Sequence, residues 1–373
     1  MNPYSTQLIE EDDKKAVLHA LSSPHLTQGA LIEEFETKLS EYLGIKYILV
    51  FNSATSALYA TYKAIGLDAN HHALTSPISF VATANMILEC GSLPIFCDIK
   101  RDGNINENLI ESLITPQTKA IVSVDYAGNS VEAQSIQSIC KKYNLAFVSD
   151  SSHAFGGEYH QQKIGTLADA TIFSLHAIKP ITTAEGGILA TNNSAIYEQA
   201  KLIRSHGVIK KKLWNTDVIT SGFNFRMTDL QAALGISQLK KIQRFLNIRE
   251  EIAQFYDKAF ISNPYFFTLH QNLLHKTTNH LYPIILAPEF WCSKEELFKN
   301  LQQEGLGVQV HYKPIYEFSL YRQILGEIEL PNARDFYRAE ISIPCHQKMN
   351  LNTAKETVDK ILRVFEKLKI CKE

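Results

Sequence analysis

Short apolar runs alternate with amphipathic stretches through most of the first half of the chain. Residues 31–43, LIEEFETKLSEYL, carry apolar positions at helical spacing and stop at Gly44. YILVF (47–51) is a continuous apolar run of strand length, and NSATSALYATYKAIG behind it reads as a helix. The rhythm repeats with LTSPIS and VATANMILECG, then PIFCDI and NENLIESLI, then AIVSVDY and SVEAQSIQSICKKYN. LAFVSD, TIFSL and GGILAT complete the series of buried strands. Apolar strands that alternate with helices predict an α/β domain, its largely parallel sheet covered on both faces.

From about 195 to 260 the pattern becomes mainly helical. LYPIILA, KEELFKNLQQEGLGVQVHY and a helix over 353–370 read as a second, smaller α/β unit, with VQVHYKP (308–314) beginning as an alternating strand that ends at Pro314. At 373 residues the chain is long for one hydrophobic core. The expected division is a large domain over 1–245, including an N-terminal arm, and a small C-terminal domain over 246–373.

The apolar fraction of 45% and charged fraction of 20% are ordinary for a globular protein. A net charge of −2 gives no basic excess, so a nucleic-acid partner is not expected. KKK at 210–212 reads as a solvated loop. The six cysteines form no CxxC pair and no finger-like spacing with histidine, so no metal site is expected and buried free thiols in a reducing compartment are. The N-terminus is acidic and polar, unlike a signal peptide, and no apolar run reaches membrane-spanning length. A cytoplasmic protein without a membrane partner follows as the expectation.

Three weak signals coincide. Asp150 directly follows the strand LAFV, and in an open parallel sheet ligands gather at the carboxyl ends of strands. Lys179 follows TIFSLH within FSLHAIKPITTAEGG, fenced by apolar and small residues that a solvated lysine does not need. NSAT (52–55) lies between a strand and a helix, where backbone amides and the hydroxyls of Thr55 and Ser56 suit an anion. Ser174 stands just before the lysine. An acid for a pyridinium nitrogen, an amine for a Schiff base and an anion cradle are together what pyridoxal phosphate requires. A nicotinamide-dependent dehydrogenase is disfavoured, because no GxGxxG follows the first strand.

The ordered motifs NSATSAL, PISFVATAN, DSSHAFG, FSLHAIKPITTAEGG, RSHG and GFNFRMTDLQAALG resemble those of the DegT/DnrJ/EryC1/StrS sugar aminotransferases. The resemblance runs over nearly the whole chain. It implies the fold-type I aminotransferase architecture: a large domain with a mostly parallel mixed sheet, and a smaller C-terminal α/β domain. It implies Lys179 as Schiff-base lysine and proton shuttle, Asp150 at the pyridine nitrogen, His153 near the phenolic oxygen and Phe80 on the ring. It implies Ala54, Thr55 and Ser174 at the phosphate, and Asn224 reaching the cofactor of the neighbouring subunit in a homodimer. His311 and Tyr312 would face a nucleotide sugar. VDYAGNSVE, VQVHYKPIYEF and ISIPCHQKMNL narrow the similarity to the branch that moves the amino group of L-glutamate to the C4 ketone of UDP-2-acetamido-2,6-dideoxy-β-L-arabino-hex-4-ulose in pseudaminic acid biosynthesis. Dehydratases of the family carry histidine where Lys179 stands. A non-enzymatic sugar-nucleotide binder would be expected to have lost Lys179 or Asp150.

Overall fold

The computed structural model describes residues 1–269 and 275–368. Seven strands form the central sheet: β1 (Tyr47–Phe51), β2 (His72–Thr75), β3 (Leu93–Phe96), β4 (Thr118–Val124), β5 (Ala146–Asp150), β6 (Ala170–Ser174) and β7 (Gly187–Thr191). Their order across the sheet is β1-β7-β6-β5-β4-β2-β3. From β6 to β3 every pair is parallel, whereas β7 runs antiparallel to both neighbours. The helices α1 (Glu11–Leu21), α2 (Ala30–Leu43), α3 (Ala54–Ala64), α4 (Ala82–Glu89), α5 (Ala133–Tyr143) and α6 (Ser194–Arg204) precede or join these strands or follow the last. Both faces are packed: Leu49, Phe51, Leu58 and Ala60 lie in one buried cluster, and Phe35, Leu39, Val50 and Phe173 in another. Burial on both sides explains why the strands read as continuous apolar runs.

Register decides where the chemistry falls. Asp150 ends β5 opposite Val124 and Ile172, and Ser174 ends β6 opposite Gly187. Gly187 also pairs with Phe51, the last residue of β1. The antiparallel β7 therefore begins where its neighbours end. Asp150, Ser174 and the NSAT turn share one edge of the sheet.

Two expectations from the sequence are corrected. The basic run 210–212 is part of a hairpin, β8 (Val208–Lys212) and β9 (Asn215–Val218), with Leu213 and Trp214 exposed at its tip. VQVHYKP contributes no regular strand. Residues 306–307 pair in parallel with Asn2 and Pro3, and Gln309 makes a single bridge to Ser342.

Beyond α7 (Asp229–Leu239), helix α8 (Ile242–Phe260) runs through position 245/246. Its Phe245 and Leu246 bury in a core of the central sheet, and its Ile252, Ala253 and Tyr256 bury against the C-terminal sheet. That second sheet consists of β10 (Phe266–Thr268), β11 (Tyr282–Leu286) and β12 (Glu340–Ile343), in the order β10-β11-β12. Helices α9 (Lys294–Gln303) and α10 (Leu351–Glu366) belong to the same unit, and α10 ends four residues before the expected 370. Cys90, Cys97, Cys140 and Cys345 are buried free thiols, Cys292 is exposed, and Cys371 lies outside the described residues.

Candidate active site

Lys179 lies in the turn after β6, with its amide bonded to the His176 carbonyl at 3.0 Å. The surrounding loop ties to itself. Thr182 Oγ1 donates to Leu175 O at 3.0 Å, and Thr183 Oγ1 donates to Glu185 O at 2.7 Å. The two threonines thus replace the hydrogen bonds that an irregular buried loop would otherwise lack. Lys179 is buried, 8% exposed. Burial pulls its pKa down to about 7, with Arg249 pulling the same way and Asp150 opposing.

Asp150 is buried and held on both oxygens. Oδ2 accepts from Thr83 Oγ1 at 2.6 Å, and Oδ1 accepts from Ser152 Oγ at 2.5 Å and from its amide at 3.2 Å. Thr83 is in turn met by Ser79 Oγ at 2.7 Å. Such bonds fix the direction in which a carboxylate presents its charge. Asp125, one strand over, is a contrast. It is sealed under Ser149, Ser151 and the Val131 amide, and burial pushes it up to about 6.

His153 is buried, and burial, then Lys179 and then His311 hold its pKa well below the ordinary histidine value, so it is neutral. Burial raises the pKa of the Tyr312 hydroxyl, which keeps its proton and shares a 3.0 Å hydrogen bond with His153 Nε2. The other ring nitrogen, Nδ1, is buried without a partner among the described residues. His280 packs edge-on against His153 at 5.1 Å and also has a buried, unpartnered Nε2. His311 is fixed from three sides. Its Nδ1 meets Ser342 Oγ at 2.8 Å, its amide donates to Glu340, and its carbonyl accepts from Tyr126. Burial depresses the His311 pKa to about 3 and lifts that of Glu340 to about 7. Phe80 stands 59% exposed at the rim, its ring 6.4 Å from that of Tyr312.

The anion cradle opens α3. Ser53 caps the helix by accepting from the Ser56 amide, and Ala54 and Thr55 occupy the first turn, where amides have no partner within the helix. A Cβ on Gly187 would lie 2.4 Å from Ser53 O and 2.5 Å from Ala54 N. Only glycine lets β7 pass this closely beneath the cradle. Ser174 Oγ accepts from the His176 amide at 3.3 Å. Asn224 is exposed, and its backbone oxygen accepts from Asn52 beside the cradle at 3.4 Å.

Asp150, His153, Lys179, His311 and Tyr312 are thus brought into one buried polar region, with Ala54, Thr55 and Ser174 along the same sheet edge. Sequence reasoning did not single out Thr83, Asp125, His280 or Arg249. Thr83 stands inside the quoted motif PISFVATAN and Asp125 inside VDYAGNSVE, and those placements were the signals available.

These groups fit pyridoxal phosphate: a fixed carboxylate, a buried amine with its pKa lowered to about 7, a buried ring nitrogen without a partner among the described residues, and a helix N-terminus with hydroxyls. The model for the DegT/DnrJ/EryC1/StrS aminotransferase family matches residues 7–362. The UDP-4-amino-4,6-dideoxy-N-acetyl-beta-L-altrosamine transaminase of Helicobacter pylori is 51% identical over 370 residues, which is 98% of each chain. The solved structure of Helicobacter pylori PseC, an aminotransferase involved in the biosynthesis of pseudoaminic acid, superposes with a TM-score of 0.96. That alignment is 51% identical and covers 98% of this chain and 99% of that one. The PLP form of Spr1654 from Streptococcus pneumoniae, described as a sugar aminotransferase, gives a TM-score of 0.92 at 28% identity over 98% of both chains.

Proposed function

The chain belongs to the DegT/DnrJ/EryC1/StrS aminotransferase family, and we propose that it moves an amino group from L-glutamate to the C4 ketone of UDP-2-acetamido-2,6-dideoxy-β-L-arabino-hex-4-ulose, a step of pseudaminic acid biosynthesis. It is a transaminase that depends on pyridoxal phosphate. The observation that carries the reading is the pairing of a buried, near-neutral Lys179 with a fixed Asp150 beside the α3 cradle.

When bound, pyridoxal phosphate supplies an electron sink for the carbon that exchanges its proton. Asp150 would hold the proton on the pyridine nitrogen, with its carboxylate fixed in direction by Thr83 and Ser152. Lys179 Nζ takes and returns the substrate proton. With a pKa of about 7 it does both readily near neutrality. His153 would offer Nδ1 to the phenolic oxygen, Ala54, Thr55 and Ser174 would hold the phosphate, and Phe80 would cover the ring.

The sugar-nucleotide side is assigned to His311 and Tyr312. His311 is oriented by Ser342 and Glu340, and Tyr312 is bound to His153. Asn224 is assigned to the cofactor of the partner in a homodimer. We place the enzyme in the cytoplasm. No described helix is long and apolar enough to cross a membrane.

The test is incubation of the purified protein with the ketosugar nucleotide, L-glutamate and pyridoxal phosphate, followed by identification of the product. A 4-amino sugar nucleotide together with 2-oxoglutarate is expected. Conversion of other 4-ketosugar nucleotides but not this one would overturn the substrate, and absence of 2-oxoglutarate would overturn the donor.

A further inference from the structure

Arg249, on α8, is fully buried at 0% exposure. Its four hydrogen bonds all end on neutral acceptors: Gln347 Oε1 at 3.0 Å, Cys345 O at 2.7 Å, Asn279 O at 3.2 Å and Ser5 Oγ at 3.2 Å. None of these acceptors is a carboxylate. Burying a guanidinium without a counter-ion is costly, and its field is poorly screened in the interior. Ser5 Oγ in turn donates to the Ile178 carbonyl at 2.8 Å, one residue before Lys179. The charge is thus tied to the backbone of the lysine turn.

We propose that Arg249 is a positioning residue: its charge, which meets no carboxylate among the described residues and is held beside the lysine turn through Ser5, adds to burial in favouring the neutral form of the Lys179 amine. The other groups that face Lys179 do not supply this field. His153, His280 and His311 are neutral, each with its pKa lowered chiefly by burial. Asp150 is the acid among them, and it favours the charged amine. Around Arg249 itself, Cys345 is pushed up to about 12 and His346 down to about 4 by burial, so both are neutral at pH 7. Arg249 falls only to about 10 and remains a cation.

The inference rests on Lys179 being the lysine that condenses with the aldehyde of pyridoxal phosphate, releasing water. Its test reads the protonation of the resulting nitrogen directly, from the visible absorption of the loaded enzyme followed across pH 5 to 10. A nearby positive charge disfavours the protonated nitrogen and lowers the midpoint. Arg249→Met should therefore raise the midpoint by about one pH unit, and Arg249→Lys should keep it near the wild-type position. Gln347→Glu keeps the shape and places a carboxylate on the guanidinium, so it should raise the midpoint by a smaller amount. It decides the question alone if Arg249→Met does not fold. Midpoints of Arg249→Met and Gln347→Glu that coincide with wild type would make Arg249 a strut and overturn the inference. Wild-type protein that shows no such band with the cofactor would instead overturn the assignment of Lys179.

Discussion

Lys241, at the head of α8, and Arg249, two turns further along, both fasten the N-terminal arm, yet they treat charge in opposite ways. Lys241 meets Asp13 at 2.7 Å, Asp12 at 2.8 Å and Glu10 at 3.4 Å, and Arg244 pairs with Glu10 beside it. Burial works against the charge of Lys241, but the bonds to Asp12 and Asp13 outweigh it and raise the pKa. Arg249 holds the same arm through the Ser5 hydroxyl and has only neutral acceptors. A cation ringed by acids has little field beyond its ring. A cation without them acts at a distance. The first clamp is suited to holding the arm and the second to holding it while biasing the site.

The largest effect should come at the uncompensated end. Lys179→Ala removes the one amine placed to exchange the proton and should abolish transamination. Mixing these chains with Asn224→Ala chains, themselves expected to be strongly impaired, puts one intact site in each mixed dimer, so roughly a quarter of wild-type activity should return. No recovery after verified subunit exchange would assign Asn224 to its own chain's site.

Asp150→Asn comes next. It keeps the shape but withdraws the acid that opposes Arg249 and holds the pyridine proton. Turnover should fall on the order of a hundredfold. Unchanged turnover would reduce Asp150 to a partner for Thr83 and Ser152.

At the compensated end the smallest catalytic effect is expected. Asp13 is fully buried and accepts from the Glu10 amide and from Gln238 as well as pairing with Lys241. Asp13→Asn should lower stability by about 1–3 kcal/mol, because Lys241 keeps Asp12 and Glu10. Thermal melting and turnover measured side by side check this. A loss of turnover larger than the loss of stability would erase the distinction between the clamps.

The same contrast accounts for what the sequence could convey. The central strands are buried on both faces, so YILVF and LAFVSD announce themselves as unbroken apolar runs. Asp150 and Lys179 follow such runs directly, which places them at the strand ends without any long-range knowledge. The hairpin 208–218 carries Lys210, Lys211 and Lys212 and is mostly exposed. Its strands hold by pairing with each other, so burial writes no pattern there. The alternation in VQVHYKP comes from isolated contacts with the arm and with Ser342. Arg249 was invisible for a further reason. Its partners stand at 5, 279, 345 and 347, and an arginine on an amphipathic helix reads locally as a solvated charge.

The arm has a consequence for how the protein comes into being. Asn2 pairs with Leu306, Ser5 waits for Ile178, Arg249 and His280, and Asp13 for Gln238 and Lys241. During synthesis these residues are made long before the distant partners just named. Contacts of such sequence separation close late and slow folding. The lysine turn therefore gains its neighbouring charge only after Arg249 has been made, and that charge is fixed only after Cys345 and Gln347 have followed, so assembly of the site becomes a late event in the life of each chain.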